Sequence, residues 1–106
     1  MEGRSRRGFR DLDVYQLAMA TAIEVQKLTR DFPKAEQYAI VDQMRRSARS
    51  VCANIAESWY KRRYKAAFIA KISDAQSEAG EMQVWVEMAW RCGYISEDAY
   101  SELDDR

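Results

Sequence analysis

From Tyr64 onward the chain keeps its apolar residues in a strict rhythm: Phe68, Ile72, Ala75, Ala79, Met82, Val86 and Ala89 fall at alternating intervals of four and three. Such a seven-residue repeat lays one apolar seam along a helix and lets antiparallel helices interlock at a small crossing angle. A strand would bring every second residue to one face instead. One proline and four glycines in 106 residues are too few for the turns of an all-β chain. The seam therefore predicts an all-α fold, with the rest of the chain supplying partner helices.

Upstream, Asp11 or Asp13 offers an N-cap to a first helix with Val14, Leu17, Ala18, Ala22, Val25, Leu28 and Phe32 on its core face. Thr21 interrupts that face, and its hydroxyl can bond back to a carbonyl one turn earlier. Pro33 cannot continue the helix, and Lys34-Ala35-Glu36 reads as a tight turn in which Glu36 favours the next N-terminus. A second helix is expected from about Glu36 to Lys61, turning Val41, Met44, Ala48, Val51, Cys52, Ile55 and Trp59 inward. The third begins near Tyr64, and Gly80 inside it marks either a close helix approach or a tolerated weakness of about 1 kcal/mol relative to alanine. Gly93 suits a left-handed C-cap, and Ser96-Glu97-Asp98 opens a short fourth helix to about Leu103. Short connections cannot carry a chain back along a twenty-residue helix, about 30 Å long, so the expected architecture is an antiparallel up-and-down four-helix bundle. Residues 1–10 are expected to form a flexible basic arm and residues 11–106 the bundle domain. A chain this short hides only about two thirds of its unfolded surface alone, so assembly with copies of itself is expected to help it.

The formal net charge is zero, which argues against coating nucleic acid by bulk positive charge. Its distribution is uneven. Residues 42–65 carry seven bases against Asp42 and Glu57, whereas residues 74–106 carry nine acids against Arg91 and Arg106. There is no histidine, the commonest general base and metal ligand, and no Gly-rich phosphate loop or nucleophile elbow. Glu57, Glu78, Glu81 and Glu87 fall off the apolar seams, so a carboxylate-bridged metal site is not expected. Cys52 and Cys92 are read as reduced packing residues rather than a zinc site or a redox pair. No enzymatic activity, cofactor, metal or small-molecule substrate is expected. No apolar run approaches a membrane span and no apolar signal core follows the basic start, so a cytoplasmic protein without membrane contact is expected.

The second helix holds the features that stand out. Gln43, Arg46, Ser50, Asn54 and Glu57 recur at helical spacing nearly opposite the apolar face. Two readings stand: a wet surface, or a partly buried contact in which uncharged side chains hydrogen-bond to a partner. Beside the stripe lie Arg45, Arg46 and Arg49, and at the helix end Lys61, Arg62, Arg63 and Lys65 alternate with Tyr60 and Tyr64. Bases release counterions from phosphates and tyrosines stack on unpaired bases, which is the chemistry of RNA or DNA binding. Asp42 can pair with Arg45 or Arg46 and Glu57 with Lys61, which would leave a solvated or subunit-facing charge run instead. Trp85 falls to one side of the seam, either as a subunit contact or beneath the fourth helix.

Gln43-Met44-Arg45-Arg46, Ser50 and Asn54-Ile55-Ala56-Glu57 resemble the Q-[IM]-R-R-x-x-x-S-x-x-x-N-I-A-E signature of proteins encoded in intervening sequences of bacterial 23S ribosomal RNA genes. The similarity extends to Phe9-Arg10-Asp11-Leu12-Asp13-Val14-Tyr15-Gln16, to Leu28-Thr29 and Phe32-Pro33, and to Gly93-Tyr94-Ile95-Ser96. It implies a four-helix bundle, a ring-like homopentamer, and RNA or DNA binding of the kind proposed for such proteins from their genetic setting. A related bundle serves as an accessory to reverse transcriptase in diversity-generating retroelements. The chain departs from the pattern at Ser58, where a glycine is usual, and around residues 75–81.

Overall fold

The computed structural model describes residues 8–105. Four α-helices follow one another, α1 (Asp13–Leu28), α2 (Ile40–Tyr60), α3 (Lys65–Arg91) and α4 (Glu97–Asp104), and no strand occurs among the described residues. Contacts between Thr29 and Arg45, Glu57 and Lys71, and Trp90 and Tyr100 pair consecutive helices in opposite directions. Val25, Val41, Met44, Ala48, Met82, Val86, Ala89 and Leu103 form the buried core between them.

The helix boundaries depart from expectation where tertiary contacts intervene. Leu12 rather than either aspartate occupies the N-cap of α1, with no side-chain cap. That helix stops at Leu28, and Thr29–Asp31 tightens into a 3-10 turn ahead of Pro33. The second helix starts four residues later than the sequence suggests. Lys34–Glu36 is another 3-10 turn, Gln37 is turned aside to donate to the Thr29 and Phe32 carbonyls, and Ala39 at φ −123° and ψ −102° interrupts any helix. Glu36 does not serve the N-terminus of α2, because its carboxylate accepts the Tyr94 hydroxyl at 2.7 Å.

At the far end the local signals hold. Gly93 takes φ +78°, its N–H bonds to the Trp90 carbonyl, and the Tyr94 N–H reaches back to Ala89 at 2.8 Å, closing a Schellman motif. Ser96 then caps α4 by accepting the Ala99 N–H. The Tyr100 ring lies flat on Trp90 at 4.4 Å and 9°, while Leu103 is inserted into the core.

With eight residues, α4 covers only one end of a 27-residue α3. Val14 and Leu17, expected in the core, are therefore 54% and 46% exposed. They flank a cleft of about 170 Å³ whose floor is Ala48, Val51, Ile55 and Met82. Thr21, the interruption in the α1 seam, is buried and bonds back to the Leu17 carbonyl at 2.9 Å. A Cβ at Gly80 would meet nothing within 4 Å, so within the chain this glycine marks no close helix approach. Cys92 is exposed rather than packed, because it falls at the C-cap where the chain leaves α3. Cys52 is buried, and burial pushes its thiol up from the ordinary range.

Candidate nucleic-acid interface

The arginines of α2 divide into separate roles. Arg45 points back along α1, where Nε donates to the Thr29 hydroxyl at 2.9 Å and Nη2 to the Gln26 carbonyl at 3.3 Å. Thr29 is fully buried and its hydroxyl donates to the Val25 carbonyl at 2.7 Å. With Gln37, this arrangement satisfies carbonyls that the end of α1 leaves without intrahelical partners, and it sets a cation at the negative end of that helix. Arg45 thus secures the α1–α2 joint, and its guanidinium is committed there rather than presented outward to a phosphate. Arg49 is exposed and reaches the Gln26 amide oxygen at 3.1 Å. Arg46 is exposed and pairs with Asp42 at 3.5 Å, a contact one helical turn long that contributes little in water.

Along the polar stripe, Gln43, Ser50 and Asn54 are half-buried, while Arg46 and Glu57 are exposed. Glu57 does not bond to Lys61, because Lys71 from α3 is closer at 3.0 Å, and the carboxylate holds the Lys71 ammonium above its usual range. Where the related pattern has a glycine, Ser58 is buried and its hydroxyl donates to the Ile55 carbonyl at 2.6 Å, so the position still holds a small residue. Trp85 is half-buried beside Ile40, Gln43 and Met88, and its Nε1 donates to Glu81 at 3.3 Å. The aromatic that α4 covers is Trp90. Trp85 stands apart from it, beside the start of α2.

Beyond Tyr60, backbone hydrogen bonds shape the turn into α3: Lys61 N–H to the Glu57 and Ser58 carbonyls, Arg62 N–H to Trp59, and Tyr64 N–H to Lys61 at 2.8 Å. Arg62 is exposed, with its guanidinium over the Trp59 ring at 4.1 Å and donating to the Trp59 carbonyl at 2.7 Å. Lys61, Arg63 and Lys65 are exposed. None of the three pairs with a carboxylate among the described residues. Tyr60 and Tyr64 expose 69% and 68% of their surface.

One contribution is invisible in the linear pattern. Phe9 and Arg10, which the sequence assigns to the arm, form a 3-10 turn (Phe9–Asp11) instead. Gln16 Nε2 fixes that turn by donating to the Arg10 carbonyl at 3.0 Å. The Phe9 ring meets Tyr15 at 5.0 Å and Tyr60 at 6.1 Å, both in T-shaped geometry, and the Arg10 guanidinium lies 4.6 Å over Phe9. The start of the chain thereby joins the basic, aromatic end of α2. Residues 1–7, with the other three arm arginines, lie outside the described residues.

No helix among the described residues is long and apolar enough to cross a membrane. Nor do three or more Cys, Asp or Glu side chains among them gather in a way that could hold a metal ion.

Among solved structures, the chain is similar to a protein of unknown function from the S23 ribosomal protein family of Bacteroides thetaiotaomicron. The two share 26% identity and a TM-score of 0.75 over 87% of this chain and 85% of that one. No curated protein matches significantly. A fold whose α1–α2 joint is secured by Arg45 of the Q-M-R-R run, a crystal structure of similar fold, and a family profile that matches residues 10–106 agree: the chain belongs to the 23S rRNA-intervening sequence protein family.

Proposed function

We propose that this protein is a non-enzymatic homo-oligomeric four-helix bundle that binds RNA or DNA through the basic end of α2 and the turn after it. The observation that carries the nucleic-acid reading is the state of Lys61, Arg63 and Lys65: three exposed cations within five residues, flanked by two exposed tyrosines and without carboxylate partners among the described residues. Packed cations without counter-charges repel one another, and a phosphate backbone relieves that repulsion while releasing its own counterions. Arg46 and Arg49 extend the surface along α2. Arg45 contributes by holding α1 against it.

Self-assembly draws support from the cleft beside Val14 and Leu17, where core positions remain uncovered by the short α4. It draws further support from Gln43, Ser50 and Asn54, which are half-buried yet show no side-chain hydrogen bond among the described residues. A neighbouring copy would cover the first and bond to the second. The 23S rRNA resemblance implies five copies in a ring. The competing reading is a protein-interaction scaffold that binds no nucleic acid, its outward arginines pairing with Glu78 or Glu81 of a neighbour.

Light scattering of the purified chain, with and without mixed short RNA and DNA oligonucleotides at low and moderate salt, separates these readings. An oligomer that takes up oligonucleotide and releases it as salt rises supports both parts of the proposal. An oligomer inert to oligonucleotides at low salt leaves only the scaffold, and a monomer overturns assembly. Leu17→Glu, which charges one wall of the cleft, is expected to shift the mass toward the protomer.

A further inference from the structure

We propose that the α2–α3 turn is a base-stacking platform selective for single-stranded nucleic acid, and that the turn at Phe9–Asp11 braces it; this rests on the nucleic-acid reading above and specifies its ligand. Tyr60 and Tyr64 stand at either end of Lys61-Arg62-Arg63, with Lys65 following, so two rings bracket a run of cations. Both rings are more than two-thirds exposed. Exposure of this kind has a cost in water that a stacked base removes, because every base offers a π-face whatever its identity. A base inside a duplex already stacks on its neighbours and cannot offer that face. The geometry therefore favours unpaired bases over double helix.

Preorganisation sharpens the case. The T-shaped contact of Phe9 restrains the Tyr60 ring from one side, while most of the tyrosine surface stays exposed. Phe9 is itself held by Tyr15 on one side and by the Arg10 guanidinium on another. Arg10 thus comes to the rim of the platform from a distant part of the sequence. Tyr64 is fixed by the bond from its N–H to the Lys61 carbonyl, and its own carbonyl accepts the Phe68 N–H at 2.8 Å, so neither tyrosine sits on a frayed segment. Arg62 is exposed as well but lies over the Trp59 ring, which leaves Lys61, Arg63 and Lys65 as the cations of the row without a partner among the described residues to follow a phosphate backbone.

The test is fluorescence anisotropy of the full chain with labelled 20-nucleotide probes of one non-self-complementary sequence: single-stranded DNA, single-stranded RNA and the DNA duplex, each across a salt series. The unmodified protein is expected to bind either single strand at least about tenfold more tightly than the duplex. Tyr60→Leu and Tyr64→Leu, which keep bulk at exposed positions, are each expected to weaken single-strand binding by about 5- to 140-fold while leaving the salt slope and duplex affinity unchanged. Arg63→Ala is expected to lower the salt slope by about one on every probe. Phe9→Ala, checked for folding by circular dichroism, is expected to reproduce part of the Tyr60→Leu loss. Equal affinity for duplex and single strand, or tyrosine variants that bind as the parent does, overturns the platform while leaving nucleic-acid binding intact. No binding to any probe at low salt overturns both, and a preference between the RNA and DNA strands identifies the source of the ligand.

Discussion

Replacing Arg45 tests whether this residue secures the fold or contacts phosphate. Arg45→Ala removes two hydrogen bonds, one to the fully buried Thr29 hydroxyl and one to the Gln26 carbonyl. Net contributions of about 0.5–1.5 kcal/mol per bond, with water able to reach a half-exposed guanidinium, give an expected loss of about 1–2 kcal/mol. Thr29→Val keeps the side-chain shape while deleting the oxygen that binds Arg45 and bonds to Val25, and is expected to cost a similar amount. The two changes share one contact, so the double variant should lose about 1 kcal/mol less than the sum of the singles. Urea unfolding followed by circular dichroism, at one fixed protomer concentration because assembly would add its own stabilisation, reads all four corners of the cycle. In a thermal scan Arg45→Ala should melt about 4–8 °C lower, at about 4 °C per kcal/mol for a chain of this size. Additivity within about 0.3 kcal/mol would refute the coupling of Arg45 to Thr29. So would the opposite phenotype, unchanged stability with a salt slope of nucleic-acid binding reduced by about one, since that is the mark of a phosphate contact.

Other perturbations follow from single observations. Gly80→Ala, with open space around the new methyl and a helical φ, should stabilise the chain by about 1 kcal/mol; a urea midpoint that falls would mean a neighbouring copy lies against Gly80. The Tyr94 phenol is held above its ordinary pKa by the hydrogen bond to Glu36, so the protonated form is the bonded one. Its stabilisation is present below about pH 10 and disappears as pH rises through the folded-state value. Melting curves from pH 8 to 11.5 should therefore fall more steeply for the parent than for Tyr94→Phe, and parallel curves would contradict the assignment. Iodoacetamide followed by peptide mass mapping should label exposed Cys92 well before Cys52, whose buried thiol resists ionisation; equal rates would show that α2 opens readily on the timescale of labelling.

Periodicity alone is enough for the helices and for most of the core. Most of the inward face of α2 and of the seam of α3 can be read from spacing, because an apolar stripe at helical spacing can be buried only one way, although Val51, Trp59, Phe68, Ile72 and Ala79 end half-buried. Gly93 and Ser96 are equally legible, since a left-handed C-cap and a hydroxyl N-cap are local requirements met within a few residues. The basic and aromatic composition of the α2–α3 turn is likewise plain in the order of its residues. Packing distance is not. Gly80 carries the same letter whether it faces a helix or open solvent, and Val14 and Leu17 belong to the apolar face of α1 although α4 is too short to cover them. The same holds for charge. Spacing offers Glu57 to Lys61, but Lys71 of the neighbouring helix is the partner, and three similar arginines on α2 become a clamp on α1, a partner of Asp42 and a contact to Gln26. Phe9 reaches Tyr60 across 51 positions because α1 runs back along α2 and brings the start of the chain beside the end of that helix. Local periodicity constrains which face of a helix is apolar; which partner each side chain meets depends on how long the neighbouring helices are and where they stop, and only the packed chain decides that.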